Sequence, residues 1–213
     1  VSAVFAFQDK DFDAANKYVD IAMADPEARK DALGLKLYLM QQGLKTREDS
    51  LGYVAKLKDL YAVEKENEQV FGHLAQMYGY LGIKAEQNEM INERLKANPN
   101  DFMALSLRAK EAMDEGKDDE AINDFKKALE TKKDDSLVLT YLGFSLNRKA
   151  ANLNGNKAEQ TKLYNESAHF LEIARDVDPT CERANWKYPL YQCYYSLYGE
   201  KDSRTKELEA LVK

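Results

Sequence analysis

Proline and glycine are scarce in this chain, with only four and ten among 213 residues, and Leu and Ala outnumber Val and Ile. A β-rich fold needs turn residues at short intervals with β-branched residues between them, so the deficit favours helix throughout. Long apolar runs are missing too. Nothing approaches the roughly 18–20 residues a membrane-spanning helix needs, so no direct membrane insertion is expected. No Lys/Arg cluster stands free of interleaved acids, and the formal net charge is −6. A nucleic-acid backbone is therefore not expected as the partner, and the acidic stretches read as solvated faces. Cysteine is limited to Cys181 and Cys193. If one helix joins them they lie roughly 18 Å apart at 1.5 Å per residue, beyond disulfide reach, so free thiols are expected. His73 and His169 fall in different segments, and neither has the i, i+4 partner of a zinc helix. No Gly-rich loop follows a strand. What is present is 44% hydrophobic residues, enough to bury a substantial core.

The clearest organised stretch is 102–135, FMALSLRAKEAMDEGKDDEAINDFKKALETKKDD. Leu105, Ala109 and Ala112 share one helical stripe, and Ala121, Phe125 and Ala128 share another. Between them Gly116 can end the first helix and Asp118 or Asp119 can cap the second. Small residues on both stripes allow two backbones to approach closely, with Phe125 filling the remaining space. The stretch resembles a tetratricopeptide repeat. In 67–98, Phe71, Leu74, Ala75 and Tyr78 are similar to the W-x-x-L-G-x-x-Y pattern of that family, and Pro99 closes the unit. From Ser136, Leu139, Leu142, Gly143 and Leu146 match again, whereas Ser167, Leu171, Ala174 and Pro179 arrive late, after a turn-rich stretch at 152–156.

Elsewhere the pattern is degraded. Ala15, Val19, Ala22 and Pro26 suit a second repeat helix, with residues 1–7 as the remnant of the first. Ala32, Leu35 and Leu39 mark a helix over 27–42 stopped by Gly43, and Leu51, Val54, Leu57, Leu60 and Tyr61 its partner over 48–63; Lys36 and Gly52 replace a small residue and an aromatic. Gln87 and Arg94 stand where alanines are usual, and Arg108 where leucine is usual. In the last unit, with Gly199 at the turn, Tyr188, Tyr191 and Tyr195 are expected on the core stripe, with Leu208 and Leu211 on the final helix. Pro189 should bend that unit's first helix or shift its start.

The resemblance implies an all-α fold, a right-handed superhelix of about five to six helical hairpins. The expected units are 1–26, 27–66, 67–101, 102–135, 136–180 (with an insertion near 150–162) and 181–213 as a capping unit. The tyrosine-rich last unit is also similar to exported tetratricopeptide proteins of Bacteroidetes, which favours export. The start at Val1 reads as a fragment of a larger protein or a processed chain.

No convergent catalytic constellation is visible. A Cys181–His169 pair is conceivable, but a small buried thiol and an exposed imidazole account for both. The acids at 118–120 and 134–135 sit where carboxylates cap helices. Asn165-Glu166-Ser167 has the form of a glycosylation acceptor but falls within a helix. No enzyme activity, metal or cofactor is expected. The resemblance places the concave groove on the first helix of each unit: Gln69, Gly72, Gln76 and Gly79; Met103, Ser106, Lys110 and Met113; Leu137, Thr140, Phe144 and Asn147; then Trp186 and Cys193. The family's carboxylate clamp is absent, because Gly72, Gln76, Leu107, Leu137 and Tyr141 occupy its places; an acidic chaperone tail is not implied. Met, Phe, Leu, Gln and Thr along a groove suit an extended or helical peptide with apolar side chains. The expected function is a non-enzymatic scaffold for a protein segment; the alternative is the docking or regulatory region of a larger enzyme or sensor.

Overall fold

The computed structural model describes residues 2–213. Every regular element among them is a helix: α1 (Ser2–Gln8), α2 (Phe12–Ala24), α3 (Arg29–Gln42), α4 (Arg47–Val63), α5 (Glu68–Leu81), α6 (Lys84–Ala97), α7 (Phe102–Asp114), α8 (Asp118–Thr131), α9 (Ser136–Asn152), α10 (Lys157–Val177), α11 (Lys187–Tyr198) and α12 (Ser203–Val212). Short side chains fix the starts. Asp11, Thr46, Asn67, Asp101, Asp135, Asn156 and Asp202 each accept a hydrogen bond from a first-turn amide, satisfying donors that have no partner inside the helix. At the α7 exit Gly116 takes φ 76°. Its amide bonds to Met113 O and that of Lys117 to Ala112 O, a left-handed cap that glycine enters without strain. The helices fall into two compact units, Val1–Gln87 and Asn88–Lys213, of which Val1 lies outside the described residues.

In the N-terminal unit α2 packs on α1 and α3, α4 packs on α5, and α3 touches α5. Ala15, Val19 and Leu39 form a small core with Ala3, Ala6, Phe7, Met23 and Leu35 only partly covered. Val4, Phe5, Phe12 and Ile21 remain exposed. Leu51, expected in the core, is exposed. The buried face of α4 is Ser50, Tyr53, Val54 and Leu57, an i, i+3, i+4, i+7 set one position away from Leu51. Tyr53 supplies the aromatic missing at Gly52, its hydroxyl 3.4 Å from Leu37 O and 3.0 Å from His73 Nδ1. Burial raises the Tyr53 phenol to about 12 and lowers the His73 imidazole. Lys36 reaches Asp20 at 2.7 Å.

In the C-terminal unit each helix from α7 to α11 packs on its successor, and α7 touches α9 as α9 touches α11. First helices of successive hairpins thus adjoin, as repeat stacking requires. Ala109, Ala121 and Ala128 are fully buried around Phe125. A Cβ built on Gly143 would lie 2.4 Å from Leu171 Cγ, so glycine is what allows α9 and α10 to approach. Both helices extend well beyond a single repeat helix, with residues 153–156 joining them. The polar departures bring their own partners. Arg108 makes two hydrogen bonds to Asp124, 2.6 and 2.9 Å. Arg94 and Asp101, with side chains 7% and 10% exposed, pair at 2.8 Å while Asp101 caps α7. Within the N-terminal unit Gln87, in the first turn of α6, donates to Ala75 O at 2.8 Å.

Candidate functional site

The candidate site of the C-terminal unit lies between α9 and α11. A cavity of about 460 Å³ is lined by Phe144, Asn147, Arg148, Ala151, Tyr164, Tyr191, Gln192, Tyr195 and Ser196. A second, about 380 Å³, is lined by Met113, Thr140, Tyr141, Phe144, Arg183, Ala184, Asn185, Tyr188 and Pro189. Phe144, 39% exposed, belongs to both, so the two cavities adjoin across its ring. Lining residues ascend together along α9 and α11, which places the two helices side by side in the same direction.

The tyrosine stripe is on this surface, not in the core. Tyr188 and Tyr195 are 54% and 49% exposed, whereas Leu190, Cys193 and Tyr194 are buried. Two stripes of similar spacing run along α11, and α9 and α10 cover the one carrying Leu190 and Cys193. Ring centroids step 6.5 Å from Tyr188 to Tyr191 and 6.0 Å on to Tyr195, with interplanar angles of 36° and 48°.

Beneath this ladder lies a buried polar network. Asn147 donates from Nδ2 to Pro189 O at 2.8 Å, and its Oδ1 accepts from Cys193 Sγ at 2.8 Å. Cys193 Sγ is also 3.2 Å from Ser167 Oγ, which donates to Gly143 O at 2.7 Å. Burial pushes the Cys193 thiol up to about 11, more than its bonds to Ser167 and Asn147 lower it. It is a structural thiol rather than a nucleophile. Ser167 is buried in α10, and Asn165 bonds to Thr161 O at 2.8 Å within the same helix.

Trp186 does not line the groove. It is 3% exposed and its indole donates to Asp178 O at 2.7 Å. Pro189 is compatible only with the first turn of a helix, so α11 starts at Lys187 and Trp186 packs inward before it. Cys193, counted with the groove in the sequence, is fully buried. Cys181 and Cys193 are both free; Cys181 lies before α11 with φ 60°, so no single helix joins them. Leu211 is exposed, while Leu208 is buried.

Of the other groove candidates, Met113, Thr140, Phe144 and Asn147 line the cavities. Met113 and Thr140 are themselves largely buried, and Thr140 donates to Ser136 O at 2.7 Å. Met103, Ser106 and Leu137 are half-buried and line neither cavity. Lys110 pairs with Asp114 at 2.6 Å and sits 5.6 Å from the Tyr141 ring centroid. In the N-terminal unit Gln69 and Gln76 are exposed and Gly72 is partly covered. Gln76 lines a cavity of about 540 Å³ with Gln41, Thr46, Arg47 and Tyr80, and Gln69 lies 3.4 Å from where a Cβ on Gly34 would stand.

The lining of the two C-terminal cavities holds Arg148 and Arg183 and no carboxylate. Arg148 binds Asp118 at 2.6 Å and Met113 O at 2.6 Å, and its guanidinium lies 5.5 Å from the Phe144 ring centroid. Arg183 pairs with Asp135 at 2.8 Å. Burial pushes the Asp135 carboxyl up, but Arg183, the Val138 amide and Lys132 outweigh it and hold the group below the usual carboxylate range. Among the described residues no three His, Cys, Asp or Glu side chains are placed to hold a metal ion, and no helix is long and apolar enough to cross a membrane.

No protein-family model and no curated protein matches the chain. Solved structures do. A human IFIT1 dimer with m7Gppp-AAAA is similar over 95% of this chain and 46% of its own, with TM-score 0.62 and 20% identity. The IFIT1 dimer with PPP-AAAA gives 0.61 and 20% over the same shares. MamA MSR-1 C2 is similar over 83% of this chain and 94% of its own, with TM-score 0.55 and 15% identity. This chain thus spans less than half the length of IFIT1. The fold is all-α and tetratricopeptide-like, a helical-repeat architecture shared with both.

Proposed function

We propose that this chain is a non-enzymatic scaffold that takes a protein segment along the groove between α9 and α11. The observation that carries the reading is the pair of adjoining cavities sharing Phe144, walled by aromatic and amide side chains. A mostly apolar concavity with a few placed polar groups is the usual form of a recognition site. Lys110, Met103, Ser106 and Leu137 extend the contact surface from α7 and the start of α9, and Gln69, Gly72 and Gln76 serve the same role within the N-terminal unit. Two side chains that could react are engaged within the fold, which fits binding rather than turnover. Cys193 is buried with its thiol raised, and His73 is occupied by Tyr53. The oligonucleotides with which IFIT1 was solved belong to that protein. Here a net charge of −6, with Arg148 and Arg183 already paired to Asp118 and Asp135, supports a protein partner instead.

The test places a photo-crosslinking residue at position 188, where Tyr188 lines the second cavity and is exposed, or at exposed Asn123 on α8 as a control. A protein is expected to be captured from position 188 alone, and its recovery to fall about tenfold when the same chain also carries Lys110→Glu and Phe144→Ala, the scale of losing one interface anchor. Recovery unchanged by the double substitution sinks the groove assignment.

A further inference from the structure

We infer that the cavity at the α3–α4 turn of the N-terminal unit binds a phosphate monoester carried on a protein segment, at a site that shares no lining residue with the groove between α9 and α11. The cavity measures about 540 Å³ and opens between the end of α3, the start of α4 and the second half of α5. Lys45 and Arg47 both line it, and no Asp or Glu does. What sets this pair apart is that neither charge is matched. Elsewhere in the same unit Arg29 meets Glu64 at 2.6 Å and Lys36 meets Asp20 at 2.7 Å. At the C-terminal cavities Arg148 and Arg183 are held by Asp118 and Asp135. Among the described residues Lys45 and Arg47 form no ion pair. Arg47 donates from Nη2 to Leu81 O at 3.2 Å, which anchors its guanidinium at the Leu81 wall and leaves most of its five N–H donors free. Of the two acids that follow, Glu48 is exposed outside the lining. Asp49 accepts from the Lys45 and Thr46 amides at 3.1 and 2.8 Å and from the Thr46 hydroxyl at 2.9 Å. It closes the α4 cap, and the Lys45 ammonium acts on it only through space.

The rest of the polar wall is neutral. Gln41, Gln76 and Tyr80 line the cavity, and their side-chain amides and hydroxyl bond to no other described residue. Two cations beside neutral donors match a group with two negative charges and several acceptor oxygens. A phosphate monoester carries about −1.5 to −2 at pH 7 and three such oxygens, and a guanidinium can engage two of them at once. A carboxylate brings one charge and two oxygens, which leaves one of the two cations without a counter-charge. Leu44, Met77 and Leu81 form the apolar part of the wall, which suits an aliphatic residue beside the phosphorylated one. A nucleic acid is the disfavoured carrier. Its backbone needs cations spaced along a path, whereas here Glu48 and Asp49 follow directly on the pair and the chain's net charge is −6. A single dianion on an otherwise neutral segment meets the cations without meeting those acids.

Fluorescence anisotropy of the whole chain against four labelled probes tests this. They are a neutral decapeptide with a central phosphoserine flanked by leucines, the same peptide with serine or with glutamate at that place, and a 5′-phosphorylated ten-nucleotide oligoadenylate. The phosphoserine peptide is expected to bind at least about tenfold more tightly than the other three, the factor that one charge-assisted hydrogen bond commands. Lys45→Ala and Arg47→Ala are each expected to weaken it about tenfold, while far-ultraviolet circular dichroism stays unchanged. The Lys45 side chain is exposed and unpaired, so its substitution reads binding even where loss of the Arg47–Leu81 bond loosens the end of α5. Lys206→Ala, on an exposed position of α12, should leave binding as it was. Equal binding of the phosphoserine and serine peptides overturns the inference, and so does phosphoserine binding that survives Lys45→Ala. A glutamate peptide that binds as tightly overturns the phosphate assignment. Oligoadenylate that binds as tightly with the same sensitivity, or inorganic phosphate that competes as strongly as the peptide, overturns the protein carrier. Capture from position 188 reads the α9–α11 groove and stands or falls separately from these results.

Discussion

The N-terminal and C-terminal units use the same helical hairpin but close it differently. In the C-terminal unit the facing stripes are Ala109, Ala121, Ala128 and Gly143, with Phe125 and Leu171 filling the gaps. In the N-terminal unit α1 to α3 gather around Ala15, Val19 and Leu39 while Val4, Phe5, Phe12 and Ile21 stay in solvent. Polar intrusions differ in the same sense. Asp124 is buried and held twice by Arg108, and Arg94–Asp101 is buried on both sides. Lys36 meets an exposed Asp20, a pair worth only about 0–1 kcal/mol by the usual surface value. The repeat tolerates a charged residue in place of a packing residue when that residue brings a buried partner; otherwise the hairpin is left loosely covered.

The largest test of that contrast is Phe125→Ala, expected to destabilise by about 3–5 kcal/mol because a rigid ring of alanines cannot collapse into the void. Val19→Ala should cost only about 1–2 kcal/mol at roughly 0.8 per methylene-sized group. Urea unfolding that gives the two equal costs breaks the comparison. Arg94→Ala strands the Asp101 carboxylate and should also cost about 3–5 kcal/mol, with Arg94→Ala, Asp101→Ala recovering part of it in a double-mutant cycle. Gly143→Ala forces a Cβ against Leu171 and should cost about 1–3 kcal/mol, read from the thermal midpoint.

Asp135→Asn sharpens the comparison through pH. The folded carboxyl titrates below its ordinary value near 3.9, so it favours the folded state above that pH and its contribution fades as pH falls through the lower folded value. The gap in urea midpoint between wild type and Asp135→Asn, about 1–3 kcal/mol for a charged hydrogen bond at pH 6, should narrow below about pH 4. A gap that widens on acidification contradicts this account. Smallest is Thr46→Ala, which removes the capping box of α4 in the N-terminal unit and should cost about 1 kcal/mol, visible as faster hydrogen exchange in the first turn of α4.

Much of the fold was legible because helix periodicity, caps and breakers are local signals. The Ala109/Ala121/Ala128 stripes and the stop at Gly116 lie where the pattern placed them. The misses have one origin. A helix can carry two stripes of equal spacing, and which is buried depends on the helices beside it. Leu51 lost to Tyr53 and Val54 in α4, and Tyr188, Tyr191 and Tyr195 lost to Leu190, Cys193 and Tyr194 in α11. Trp186 was misplaced because Pro189 moved the start of the helix. Of the cavity-lining residues, Met113, Thr140, Phe144 and Asn147 are among those the resemblance placed along the groove. Arg183, Tyr164 and Gln192 were not, because they come from segments that only tertiary packing brings to α9. The ion pairs that compensate for Arg94 and Arg108 left no trace in apolar periodicity.

The bonds from Asn147 to Pro189 and Cys193 act as an index mark on α11. Turning that helix by one residue, about 100° at 3.6 residues per turn, would carry the tyrosine ladder inward and offer Leu190 and Cys193 to solvent. Apolar contacts alone discriminate weakly between the two settings, since both stripes carry large side chains. A directional amide, satisfied at 2.8 Å on both of its arms, permits only one. The face that α11 turns outward is therefore set from beneath, by three small polar side chains that solvent hardly reaches.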